Sequence, residues 1–153
     1  MRRALLVGIN DYPSAPLAGC VNDAKKMERV VRRHDDGQVN FDTQLLTSDQ
    51  QRITRARLRE AIENLFADPA EVALLYFSGH GTENNLGGYL VTTDATSYDE
   101  GVSLGDVLAL VPDEWLEPVP GASAPADLRA AYADFLLARV SGERAWLPVA
   151  GAA

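Results

Sequence analysis

The sequence predicts an α/β domain built on a mostly parallel sheet. Two observations carry this: short runs that are apolar at nearly every position, and amphipathic helical stretches lying between them. A strand with one wet face alternates polar and apolar residues, so a continuous apolar run marks a strand covered on both faces. Strands that alternate with helices place successive strands parallel.

Ala4-Leu5-Leu6-Val7-Gly8-Ile9 is the first such run, broken by the turn residues Asn10-Asp11-Tyr12-Pro13. Cys20, Ala24, Met27 and Val31 then recur at helical steps, with Val30 widening the face, until Asp35-Asp36-Gly37 ends the helix. Residues 41–47 read as a second strand. The clearest helix spans 53–66, with a stripe of Leu58, Ala61, Ile62, Leu65 and Phe66 and Thr54 as its N-cap. Val72-Ala73-Leu74-Leu75-Tyr76-Phe77 is a third strand and ends in Ser78-Gly79-His80-Gly81. Residues 88–92 read as a short surface strand, and Ser103 caps a helix that runs to Val111. Four prolines between Pro112 and Ala126 suggest an extended linker. One more helix is expected over 128–140, stopped by Gly142 before Trp146-Leu147-Pro148-Val149. The expected division is therefore a domain over 1–111, a linker over 112–126 and a tail over 127–153.

A chain of 153 residues suits one domain with a real core. Its net charge of −8 argues against a nucleic-acid partner, which needs a basic footprint, and against an anionic membrane surface. No apolar run approaches the length of a membrane span. Met1-Arg2-Arg3 followed by Ala4-Leu5-Leu6-Val7 imitates a signal peptide, but the run breaks at Gly8 with no small-residue cleavage site. A single cysteine makes no internal disulfide, and no cysteine–histidine spacing suits zinc. A reducing, cytoplasmic setting is expected.

Open sheets of this class bind ligands beyond the carboxyl ends of their strands. Two polar loops fall there, residues 10–23 and 78–85, and His80 lies in the second. A histidine between two glycines at a strand end is accessible, and the Gly81 amide is free to donate to a developing oxyanion. An imidazole there can take a proton from a nucleophile and return it to a leaving amine. A packed or solvated turn histidine is the plainer reading of so short a string.

Three blocks change that weighting: residues 5–12 (Leu-Leu-Val-Gly-Ile-Asn-Asp-Tyr), 17–24 (Leu-Ala-Gly-Cys-Val-Asn-Asp-Ala) and 76–81 (Tyr-Phe-Ser-Gly-His-Gly). In this order and spacing they resemble the opening of the caspase/metacaspase family of cysteine peptidases, and the likeness covers roughly residues 3–111. The resemblance implies a three-layer caspase-like sandwich, here partial, with the C-terminal helix as an addition. It implies His80 as the histidine of a Cys-His dyad and the Gly81 amide as part of the oxyanion hole. Asp23 matches a carboxylate that lines the metacaspase pocket for a basic P1 side chain; the alternative is an acid favoured by the helix dipole. Asn10, Asp11 and Tyr12 would be rim residues.

The family's nucleophile follows a fourth strand in a motif of Asp-Cys-x-Ser-Gly type. Here no cysteine follows Cys20, and no β-branched apolar run follows Val111. Cys20 is then the one candidate nucleophile, in a helix first turn that favours a thiolate. Its place on the apolar stripe favours a buried structural thiol instead. Metacaspases often need calcium, but Asp94, Asp99 and Glu100 are scattered without the alternation of a tight calcium loop, so no metal or cofactor is expected. The expectation is a cysteine endopeptidase domain for peptide or protein substrates, inactive as this chain alone, from a truncated or recombined gene or a pseudoenzyme. The alternative is a pseudopeptidase scaffold that binds a partner, or forms homo- or hetero-oligomers, through the open edge of the third strand.

Overall fold

A computed structural model describes residues 1–67 and 69–141. Residues 142–153, including the expected helix stop and the Trp146 segment, lie outside the described residues. Strand β1 (Arg2–Gly8) is followed by α1 (Cys20–Arg32), β2 (Asp42–Thr47), α2 (Arg55–Ala67) and β3 (Val72–Ser78). These strands form one parallel sheet in the order β2-β1-β3. The register sets Gly8 opposite both Thr47 and Ser78, so all three strands end at one level. Every loop leaving a carboxyl end therefore opens on the same edge.

Side chains alternate across a strand. Leu5, Val7 and Ile9 share the main core with Leu58, Ala61, Ile62 and Leu65 of α2. Ala4, Leu6 and Gly8 face the other side, where α1 lies. The approach of α1 is close enough to require glycine: a Cβ on Gly8 would stand 2.5 Å from the Cys20 carbonyl oxygen and 2.9 Å from the Ala24 Cβ. Val21 and Ala24 are the buried residues of α1. Val30, expected to widen the buried face, is instead 72% exposed, because the helix needs only a narrow seam against the sheet.

Beyond His80 the chain forms a second, antiparallel sheet of β4 (Gly81–Asn84), β5 (Gly87–Thr96) and β6 (Asp99–Ser103). The sequence reading anticipated only part of β5. Gly-Thr-Glu-Asn and Asp-Glu-Gly-Val-Ser have little strand propensity, and both become strands by pairing with the two edges of β5. Thr93 ties this sheet to the loop before α2: its amide and its hydroxyl both donate to the Ile53 carbonyl, at 3.0 and 2.9 Å.

Ser103 caps α3 (Leu104–Ala109), its hydroxyl accepting the Asp106 amide at 2.9 Å. A 3-10 turn at Asp113–Trp115 follows, with Trp115 edge-on to Phe66 of α2. Helix α4 (Pro125–Ser141) packs on α3. Arg129 fastens it by donating to the Leu108 and Val111 carbonyls and to Asp113. Among the described residues β3 pairs with β1 alone, leaving its other edge unpaired.

Candidate active site

The loop that joins β1 to α1 is built around Asn10. Its amide donates to the Ser48 hydroxyl at 2.9 Å, and its carbonyl accepts from Tyr12 and Leu17 at 3.0 and 2.8 Å. Its side-chain oxygen accepts the Val21 amide at 3.3 Å, supplying the first turn of α1 with an acceptor that Gly19 cannot offer. So anchored, the loop crosses the carboxyl edge of the sheet and carries Ala15 to His80.

The His80 Nε2 lies 2.7 Å from the Ala15 carbonyl oxygen. A carbonyl can only accept, so Nε2 carries the proton. In the neutral ring Nδ1 is then the bare, basic nitrogen, and no hydrogen bond engages it among the described residues. The imidazole also lies against the Tyr12 ring, with centroids 4.6 Å apart and planes tilted by 56°. One nitrogen is held and the other is left open among the described residues, as a proton acceptor requires.

Gly81 begins β4 opposite Leu90, and the neighbouring Val91 amide donates to the His80 carbonyl at 3.0 Å. That pattern makes Gly81–Leu90 a non-hydrogen-bonded pair, so the Gly81 amide points away from β5 toward the open side. Gly81 is exposed, and a Cβ there would meet nothing closer than 3.7 Å.

Cys20 and Asp23 lie in the first turn of α1, behind Gly8. Cys20 is half-buried, and no hydrogen bond joins its sulfur to His80 among the described residues. Asp23 is exposed, and its carboxylate has no ion-pair partner among them. The structure thus brings His80 and Gly81 together and sets Cys20 and Asp23 on the adjoining helix end. A cavity of about 320 Å³ lined by Asp11, Pro13, Ser48, Arg52 and Thr93 opens on the same edge.

Tyr12 departs from its expected place on the rim. It is 5% exposed and belongs to the main core. Its hydroxyl accepts the His80 amide at 3.0 Å and donates to the Val91 carbonyl at 3.1 Å. Burial pushes its phenol up to about 12, against a downward pull from the His80 amide and with a smaller upward push from the Cys20 charge. It stays a neutral donor and acceptor through the physiological range. Its sequence signals were its place in the 5–12 block and an aromatic ring directly after a buried strand. The Ala15 carbonyl had none, because any residue type carries that atom.

The acids set aside as calcium candidates have other partners. Asp94 accepts the Arg55 amide at 2.9 Å and the Thr92 hydroxyl at 2.7 Å. Burial pushes its carboxyl up, but these hydrogen bonds outweigh it and hold the group below the usual carboxylate range. Asp99 pairs with the Arg55 guanidinium, and Glu100 accepts from Asn84. Among the described residues no three His, Cys, Asp or Glu side chains converge as metal ligands, and no helix is long and apolar enough to cross a membrane.

The family model described as the caspase domain matches residues 1–118. Metacaspase-4 of Arabidopsis thaliana is 33% identical over 125 residues, covering 77% of this chain and 29% of that protein. Metacaspase-1 of Meyerozyma guilliermondii is 37% identical over 87 residues, 52% of this chain and 21% of that protein. Metacaspase-3 of Trypanosoma cruzi is 34% identical over 87 residues, 52% of this chain and 24% of that protein. The chain thus spans less than a third of the length of these relatives.

Proposed function

The chain belongs to the caspase domain family, and from that premise we propose that it supplies the histidine-bearing half of a cysteine endopeptidase that cuts after basic residues. The observation that carries this reading is the His80 imidazole, held at Nε2 by the Ala15 carbonyl with Nδ1 unengaged among the described residues. A thiol presented to Nδ1 would give up its proton, and the thiolate would attack the scissile carbonyl. The Gly81 amide, turned away from its ladder, is oriented to donate to the oxyanion. The imidazolium then returns the proton to the leaving amine, and water releases the acyl group. Asp23, exposed and unpaired among the described residues, suits an arginine or lysine at P1.

Among the described residues no hydrogen bond joins the Cys20 thiol to His80. A strand added parallel to the unpaired edge of β3 would end level with Ser78, beside the histidine. We assign the nucleophile to such a strand from outside these residues and keep Cys20 as a packing thiol. Alone, the chain is then inactive. The same unpaired edge favours a second reading, a pseudopeptidase that binds a partner by strand addition.

The test is turnover of a fluorogenic peptide with arginine at P1, with and without calcium, by the chain and by His80→Ala and Cys20→Ala variants. No turnover from the folded chain is expected. Activity lost in both variants would make Cys20 the nucleophile and overturn this assignment.

A further inference from the structure

The start of β4 holds a feature that a simple ladder would not contain. With Gly81 opposite Leu90, the next pair is His80 and Val91, which should exchange two hydrogen bonds. One is made: the Val91 amide donates to the His80 carbonyl at 3.0 Å. The other is interrupted by the Tyr12 hydroxyl, which accepts from the His80 amide at 3.0 Å and donates to the Val91 carbonyl at 3.1 Å. The hydroxyl occupies the place of a bridging water, wedging the pair open on one side. The same residue lays its ring against the imidazole. Gly79 answers to it as well, since a Cβ there would overlap the Tyr12 hydroxyl and stand 3.0 Å from the Phe77 ring. The glycine before the histidine is thus dictated by a side chain 67 residues earlier.

We propose that Tyr12 is the positioning residue of this site, its inserted hydroxyl setting where His80 leaves the sheet so that the imidazole meets the Ala15 carbonyl. This rests on the reading of His80 as the proton acceptor. Without the hydroxyl, the His80 amide and the Val91 carbonyl are free to close to a direct hydrogen bond of about 2.9 Å. That closure draws the backbone of residue 80 toward β5 and takes Nε2 off its acceptor. The Tyr12 hydroxyl bonds only main-chain atoms; it acts through His80.

Tyr12→Phe keeps the buried ring and removes only the wedge, so it separates positioning from core packing. The readout is the imidazole nitrogen spectrum of His80, in a His34→Gln background that leaves one histidine. Wild type should show a protonated Nε2 and a bare Nδ1. In Tyr12→Phe both signals should move toward the tautomer average while the thermal midpoint falls only slightly. An unchanged nitrogen pattern would overturn the positioning role and leave the reading of His80 intact. A wild-type spectrum with the proton on Nδ1 would overturn the reading of His80 itself. A second measurement uses Gly79→Ala: its loss of thermal stability should be smaller in the Tyr12→Phe background than in wild type. An equal loss in both backgrounds would show that the hydroxyl is not the obstacle.

Discussion

In the parallel half of the molecule, Leu5, Leu6, Val7 and Ile9 are fully buried between two helices. In the C-terminal helix α4, Leu128 is buried while Tyr132 and Phe135 remain 50% and 56% exposed. The strands are held by apolar burial on both faces, whereas α4 adds to one buried leucine among its described residues a guanidinium reaching main-chain carbonyls. The contrast shows what the site depends on. Its loop is anchored on the ends of the best-packed strands, through Asn10 and Ser48, and its histidine stands at the seam where the second sheet begins. The placing of His80 thus draws on the well-buried half, through the Asn10–Ser48 bond and Tyr12.

Core truncation should show the largest difference. Leu6→Ala is expected to cost about 2–5 kcal/mol in urea unfolding, as for other fully buried leucines. Phe135→Ala should stay within about 1 kcal/mol, because more than half of its surface remains in water. Comparable losses at the two positions would mean that α4 is integral to the core.

Arg129→Ala should fall between these limits, at about 1–2 kcal/mol, since it takes the Arg129 donor from the Val111 carbonyl and leaves the Leu108 carbonyl to the Val111 amide. Limited proteolysis would locate the damage. Cleavage near α4 with the parallel half intact is expected, whereas uniform loosening would erase the distinction between the regions.

The smallest effect is electrostatic. The Asp94 carboxyl is held below its usual range in the fold, so it contributes stability above the unfolded value of about 3.9. That contribution fades as pH falls through the lower, folded value. Asp94→Asn should therefore flatten the acid limb of a thermal-midpoint profile, with the loss at neutral pH traced to the α2 end it caps. An acid limb as steep as wild type would mean that other carboxylates dominate.

Much of the parallel half was legible from residue order. A buried strand leaves a continuous apolar run, and the stripe from Leu58 to Phe66 has a period that only a helix satisfies. The Ser-Gly-His-Gly string at the third strand end also marked the place where His80 would be found. The antiparallel sheet was less legible because β4 and β6 are polar and gain their structure from β5. Cys20 and Asp23 could be placed at the start of α1, but their standing toward His80 depended on how closely α1 approaches Gly8.

By itself, then, the amino-acid order determined an α/β body with a histidine at a strand's carboxyl end, because burial and chain direction are written as local periodicity. Only the tertiary structure decided which nitrogen of His80 bears the proton, which way the Gly81 amide points, and that Tyr12 stands inside a ladder. Those outcomes depend on a carbonyl from residue 15 and a hydroxyl from residue 12 meeting residue 80 across the sheet edge. Contacts between residues so distant along the chain leave no periodic trace, so they exist only once the strands are in register.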